Sequence, residues 1–282
     1  MTTRTLLAAV LAAIVGVGLV APRPAAAQAV PPAPAVLKDL APTGELRAAI
    51  NYGNPVLAQR DPASADLRGV SVDLARELAR RLGVEATLVP FDAAGKVFEA
   101  AKAGAWDVAF LAVDPVRAAD IAFTAPNVLI EGTYMVPQAS PLKTIADVDR
   151  DGVRIAVGRG SAYDLFLTRT IKKAELVRAP TSAGAVELFV REGLEVAAGV
   201  KQPLVDYART DPSVRVIEGR FMAIEQAMGT PRGRDAGRAY LDAFIEEMKA
   251  SGFIAEALTR HKQPDAVVAP AAKRQRSSGW PR

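Results

Sequence analysis

The chain contains no cysteine and a single histidine, His261. Cysteine nucleophiles, a disulfide-stapled scaffold and thiolate zinc sites are thereby excluded, and one imidazole cannot build a histidine-rich metal centre. After the first two dozen residues no apolar run is long enough to span a membrane. No repeat with a solenoid-like period is visible, and a large imbalance of charge is also missing. The sequence pI is about 9.4, but Arg4 and Arg23 lie near the N-terminus and Lys273, Arg274, Arg276 and Arg282 near the C-terminus. Setting those six aside from 35 basic residues leaves 29 against 31 acidic ones. A near-neutral body supports no nucleic-acid partner.

The N-terminus begins with MTTR, followed by an apolar stretch from Leu6 to Ala21, then Pro22, Arg23, Pro24 and AAAQA. A basic start, an apolar centre and an A-x-A site describe a secretory signal peptide, cleaved after Ala27 or Ala29. The other reading is an uncleaved anchor, since the run falls only slightly short of the roughly 17 residues a spanning helix needs. The remaining chain suffices for two compact lobes.

From Glu45 onward, short β-branched or apolar runs alternate with helical patterns. "LRAAINYG" reads as a strand, and "GVSVDLARELARRLG" as an amphipathic helix with Leu74, Leu78 and Leu82 on one face and Gly83 as its stop. "EATLVPF", "AGKVFEAAKAG" and "WDVAFLAV" continue as strand, helix and strand. Asp114-Pro115 reads as a helix start, with Asp as N-cap and Pro at the first helical position. After the strand-like "LIEGTYMVP" a second series follows: "RIAVG", "SAYDLFLTRTI", "ELVRAP", "SAGAVELFVREG", "EVAAGVK", a short helix from Pro203, "VRVIE" and "AIEQAMGT". Two helical patterns, "GRDAGRAYLDAFIEEMKA" and "SGFIAEALTRH", close the series. Such alternation predicts parallel sheets covered by helices on both faces, an α/β fold. Ligands bind at the carboxyl ends of such strands. Those ends are Tyr52 to Pro55, Phe91 to Ala94, Val113 to Arg117, Gly158 to Ala162, Pro180 to Ser182, and Lys201 to Pro203.

In this order, "GELRAAI", "GVSVDLARELARRLGVEATLV", "AGAWDVAFLAVDPVRAADIAFTAP", "RIAVGRGSAYDLFL" and "SGFIAEALTRH" resemble the amino-acid-type family of bacterial extracellular solute-binding proteins, the receptors of ABC importers, over about residues 44 to 262. The resemblance implies a two-lobed clamp of the type II periplasmic-binding-protein fold. Each lobe would be a mostly parallel sheet flanked by helices, with two crossovers at the hinge near 129 to 133 and 225 to 229. It divides the chain into a signal peptide (1–27), a linker (28–43), lobe 1 (44–130 and 229–262), lobe 2 with the hinge strands (131–228) and a disordered basic tail (263–282). The implied protein is a periplasmic monomer whose partners are a small-molecule ligand and an inner-membrane ABC permease. No cofactor is called for.

Carried over position by position, Arg117 is the carboxylate anchor, a rigid two-pronged donor, or else a surface arginine paired with Asp120. Ser161 matches the Gly-Thr/Ser turn of lobe 2, where helix-start N–H groups hold an anion, and it can equally cap its helix. Tyr52 and Phe110 could wall the ligand or belong to the core, and Asn54 beside Pro55 is a further candidate. Two positions depart from the family pattern. The turn "VDPVR" carries Asp114 where a hydroxyl is usual, as a second charge in the site or as a cap alone. Lys201 stands where the family uses an aspartate for the ligand's α-ammonium; it faces the cleft, or it points to solvent or pairs with Asp206. A Lys201 in the cleft would favour a ligand with two acidic ends. The alternative to a receptor is a dehydratase-like enzyme on the same scaffold, with Asp114 or Glu131 as general acid.

Overall fold

The computed structural model describes residues 31–272. The expected signal peptide and the last ten residues of the basic tail lie outside the described residues. In chain order the elements are α1 (Pro34–Leu40), β1 (Glu45–Asn51), a small hairpin of β2 (Gln59–Arg60) and β3 (Leu67–Arg68), α2 (Val70–Leu82), β4 (Glu85–Phe91), α3 (Ala94–Ala101), β5 (Val108–Ala112), α4 (Pro115–Ala118), β6 (Ile121–Phe123) and β7 (Val128–Pro137). They continue with β8 (Arg154–Gly158), α5 (Ala162–Thr170), β9 (Glu175–Ala179), α6 (Ser182–Glu192), β10 (Val196–Val200), α7 (Lys201–Thr210), β11 (Val214–Val216), β12 (Met222–Pro231), α8 (Asp235–Ala250), α9 (Phe253–Arg260) and β13 (Val267–Val268).

Local chemistry accounts for the main elements. Helix α2 buries Leu74, Leu78 and Leu82 and stops at Gly83, whose φ of 70° is the left-handed conformation glycine adopts without strain. Asp114 caps α4 as expected, its Oδ1 accepting the Val116 N–H at 2.8 Å. Trp106, fully buried, donates its indole N–H to the Val97 carbonyl at 2.9 Å and so ties the middle of α3 to the approach of β5.

The strands run in the order β4-β1-β5-β12-β7-β10-β8-β9. Strands β4, β1 and β5 are mutually parallel, as are β10, β8 and β9, and the antiparallel pair β12 and β7 lies between the two trios. The first trio with β6 and α2, α3, α8 and α9 forms lobe 1, and the second with β11 and α5, α6 and α7 forms lobe 2. The ten-residue strands β7 and β12 serve both. Residues 128–132 of β7 pair with 222–226 of β12, while the far ends diverge, β12 to β5 and β6, and β7 to β10 and β11. The chain therefore leaves lobe 1 along β7 and returns along β12, and this pair is the hinge.

Both lobes close their strand trios with the same ion pair. In lobe 1, Arg47 on β1 forks onto Asp107 just before β5, at 2.9 and 2.8 Å, with Arg234 adding a third contact at 2.8 Å. In lobe 2, Arg154 on β8 forks onto Glu195 just before β10, at 2.9 Å through both nitrogens. Two-pronged guanidinium–carboxylate geometry fixes the register of neighbouring strand starts in each case.

Several segments differ from the sequence reading. Residues 34–40, expected as linker, form α1, because Pro34 starts a helix whose Val36 and Leu40 are buried, with α1 packing on α8. Residues 263–272, expected as the start of the tail, continue the fold. Val267 and Val268 pair with Leu129 and Val128 of β7, and Ala269 is buried. Helix α7 starts at Lys201 rather than Pro203, and the hinge crossing on β12 falls at 222–226, a few residues earlier than expected.

Candidate functional site

A cavity of about 500 Å³ lies where the carboxyl ends of β1, β5, β8 and β10 meet the hinge. The loop after β1 approaches the end of β4 so closely that a Cβ on Gly53 would sit 2.0 Å from the Asp92 carbonyl oxygen. Only glycine permits that contact, which holds Tyr52 and Asn54 against the cavity. From lobe 2, the starts of α5 and α6 reach the cavity through Ser161 and Ser182.

Arg117 is the buried cation of the site. Its side chain projects from α4, is 1% exposed, and lines the cavity. Nη1 donates to the Ala112 carbonyl at 2.9 Å, and Nη2 donates across the cleft to the Gly160 carbonyl at 2.8 Å. Nε is buried with no hydrogen-bond partner among the described residues. Desolvation pulls the guanidinium pKa down to about 10, with the nearby Asp114 carboxylate opposing the shift, so the group stays charged at neutral pH.

Asn54 is also buried beside the cavity, and its Oδ1 has no hydrogen-bond partner among the described residues. Ser161 lines the cavity and caps α5 at once, accepting the Asp164 N–H at 3.0 Å. Tyr52 lines it with the Arg60 guanidinium 5.5 Å from its ring centre. Tyr163, buried on α5, donates to Ser182 Oγ at 2.8 Å; burial pushes its phenol pKa up, and it remains a neutral wall. Other parts of the wall are aliphatic, among them Leu111, Val186, Leu204 and Ile224.

The structure thus brings Arg117, Ser161, Tyr52 and Asn54 together and turns three expected site residues away. Phe110 shares the β5 face of Val108 and lies in the main core, opposite Met228, while its neighbours Leu111 and Ala112 face the cavity. Asp114 is buried but faces Arg169 of α5, whose Nη2 reaches its Oδ2 at 2.7 Å; this pair joins the lobes outside the cavity wall. Lys201 points to the hinge, where its Nζ donates to Glu131 at 2.8 Å and Arg220 completes a trio at 2.9 Å. Hydrogen bonding from Lys201, reinforced by Arg220, holds the Glu131 carboxyl below the ordinary range. Neither the cleft role for Lys201 nor its pairing with Asp206 matches this geometry, because a closer acid lies on β7.

Sequence reasoning missed Gln226. It lies on β12 between Val128 and Ala112, is 7% exposed, lines the cavity, and its carboxamide makes no hydrogen bond to the described residues. The signal was present: a polar residue at the alternate position of a strand whose neighbours on that face, Ile224 and Met228, are apolar and buried. The cleft itself is closed by direct contact of the lobes. A Cβ on Gly160 would fall 2.8 Å from the Gly95 Cα, so the two backbones touch there. Among the described residues no cluster of His, Asp or Glu is arranged to hold a metal ion.

Known proteins give this geometry a context. The family model for bacterial extracellular solute-binding proteins, family 3, matches residues 46–263. A histidine-binding periplasmic protein from Salmonella typhimurium is 26% identical over 205 residues, covering 67% of this chain and 77% of that protein. A solved ArgBP variant from T. maritima superposes with a TM-score of 0.70 at 19% identity, covering 80% of this chain and 99% of that one. A cysteine-binding protein from Campylobacter jejuni gives a TM-score of 0.70 at 16% identity over 83% and 99% of the two chains. An ancestral amino-acid-binding protein, described as a precursor of cyclohexadienyl dehydratase, gives 0.67 at 20% identity over 79% and 98%. Two parallel trios hinged on β7 and β12, a cavity between them, and a family match across nearly all of both lobes lead to one conclusion: this chain belongs to the bacterial extracellular solute-binding proteins, family 3.

Proposed function

We propose that the protein is the periplasmic receptor of an ABC importer and captures a small carboxylate-bearing solute between its lobes. The observation that carries this reading is Arg117: a nearly fully buried guanidinium on the cavity wall, with Nε unpartnered among the described residues. A buried cation is costly unless an anion meets it, and a carboxylate supplies two acceptor oxygens in the geometry a guanidinium fits. The cavity of about 500 Å³ suits a small solute. The starts of α5 and α6 present backbone N–H groups from the second lobe, so the anion would be gripped from both sides and closure coupled to its binding.

The leader pattern, and relatives named as periplasmic, support export to the periplasm, where an inner-membrane permease would read the closed form. An elimination on the same scaffold would need a general acid at the ligand. Asp114 is engaged by Arg169 and Glu131 by Lys201 and Arg220, and neither lines the cavity. Native mass spectrometry of the gently purified protein tests the proposal. The expected result is a retained small molecule that bears a carboxylate once released. Absence of any retained solute, together with no thermal stabilisation by a broad panel of carboxylates, would sink it.

A further inference from the structure

The cavity's inventory of charge narrows the ligand further. Among the described residues, the buried polar side chains on its wall include one cation, Arg117, with Nε unpartnered, and two neutral carboxamides: Asn54, whose buried unpartnered atom is the acceptor Oδ1, and Gln226, whose carboxamide makes no hydrogen bond. Among the described residues that line the cavity, no buried carboxylate accompanies them. The acids on its wall are Asp92, which Lys96 holds at 2.8 Å, and Glu187, which is exposed in the second turn of α6. Lys201 and Glu131 neutralise each other at the hinge and add nothing to the interior. A zwitterion enclosed here would have its carboxylate matched by Arg117 and its ammonium left without a buried anion, an arrangement that desolvation penalises. A neutral oxygen beside the carboxylate would instead find an amide N–H, and an apolar body would meet Leu111, Val186, Leu204 and Ile224.

We propose that the ligand is a 2-oxo or 2-hydroxy carboxylic acid with an aliphatic or aromatic body, and that Gln226 selects it by donating its carboxamide N–H to the neutral oxygen next to the carboxylate held by Arg117. This rests on the receptor reading above. Gln226 acts from the hinge strand β12, between the two lobes, so the bond it makes forms where the clamp bends. Selection against the matching amino acids follows from what the pocket lacks and selection for the oxo acid from what Gln226 offers.

Calorimetric titration with matched sets tests it: 4-methyl-2-oxopentanoate, 2-hydroxy-4-methylpentanoate, 4-methylpentanoate and leucine, then phenylpyruvate, phenyllactate, 3-phenylpropanoate and phenylalanine, with arginine as a cationic probe. In at least one set the oxo or hydroxy acid should bind about tenfold or more tighter than the amino acid, the scale of one unmatched buried polar group. Gln226→Leu, close in size, should lose that advantage and bind the oxo acid no better than the plain acid. Leucine or phenylalanine binding as tightly as its oxo acid, or arginine binding tightest, would overturn the proposal while leaving a carboxylate receptor in place. If none of the acids binds, this inference falls while the retained solute still decides the receptor reading; if their binding survives Arg117→Ala, the receptor reading and this inference fall together. Should Gln226→Leu fail to fold, the ranking within the wild-type titrations decides alone.

Discussion

Asp114 and Arg169 form an ion pair that connects the two lobes, and its removal should weaken the closed form by a calculable amount. The carboxylate belongs to the α4 turn of lobe 1 and is 5% exposed; the guanidinium belongs to the last turn of α5 in lobe 2 and is 41% exposed, at 2.7 Å. Exposed pairs are worth about 0.2–1 kcal/mol, whereas stranding a buried charge costs about 3–5 kcal/mol. With one partner buried and the other half in water, Arg169→Ala should fall between these limits, at about 1–2 kcal/mol against closure, or about 5- to 30-fold in the closed-to-open ratio. Arg169 is the partner to change, because Asp114 also caps α4 through the Val116 N–H. Ligand affinity should drop by up to the same factor, the full factor being reached where the closed form is the minor state, since apparent affinity scales with the closed fraction. Small-angle scattering of the ligand-free protein should show a larger radius of gyration, with thermal unfolding confirming that each lobe stays intact. An affinity within twofold of the parent and an unchanged radius would refute the reasoning.

Two other outcomes follow from the hinge cluster. Lys201→Ala should leave ligand affinity within about twofold, because the ammonium meets Glu131 rather than the cavity; a loss beyond tenfold in a titration would return Lys201 to the cleft. The Glu131 carboxyl has a lowered pKa in the folded protein, so its contribution to stability is full above the unfolded carboxyl value of about 4.3 and is lost as pH falls through the lower folded value. Glu131→Gln should therefore reduce stability at neutral pH and flatten that part of the acid unfolding curve; parallel curves for parent and variant would show that the carboxylate contributes nothing there.

The fold was largely legible because its β/α units carry their own local signals. The leucines of α2, Gly83 at its end and Asp114-Pro115 at the start of α4 each declare an element within a few residues. Helix α1 was hidden by its proline-rich approach: what stabilises it is burial of Val36 and Leu40 together with packing against α8, nearly two hundred residues later, which no local pattern encodes. The same distance effect separates the site residues that could be read from those that could not. Arg117 and Ser161 lie in turns whose sequence and position carry the resemblance, and both line the cavity. Lys201 stands at the right strand end, but its direction is set by Glu131, 70 positions earlier on a strand that sequence order does not place beside it. Phe110 lies too far back along β5: it packs opposite Met228 in the core, and of this strand only Leu111 and Ala112, at its end, reach the cavity. Gln226 broke the apolar pattern of its strand, yet only the antiparallel hinge pairing shows that its face meets a cleft.

The central claim is that Arg117 anchors a carboxylate inside the cleft, and the most direct measurement is calorimetric titration of the released ligand into the parent protein and into Arg117→Ala. Loss of one partner from a charge-assisted pair in a desolvated site costs about 2–5 kcal/mol, so the affinity should fall by about 30-fold or more while the variant remains folded. Equal affinity of the two proteins for that ligand would contradict the account.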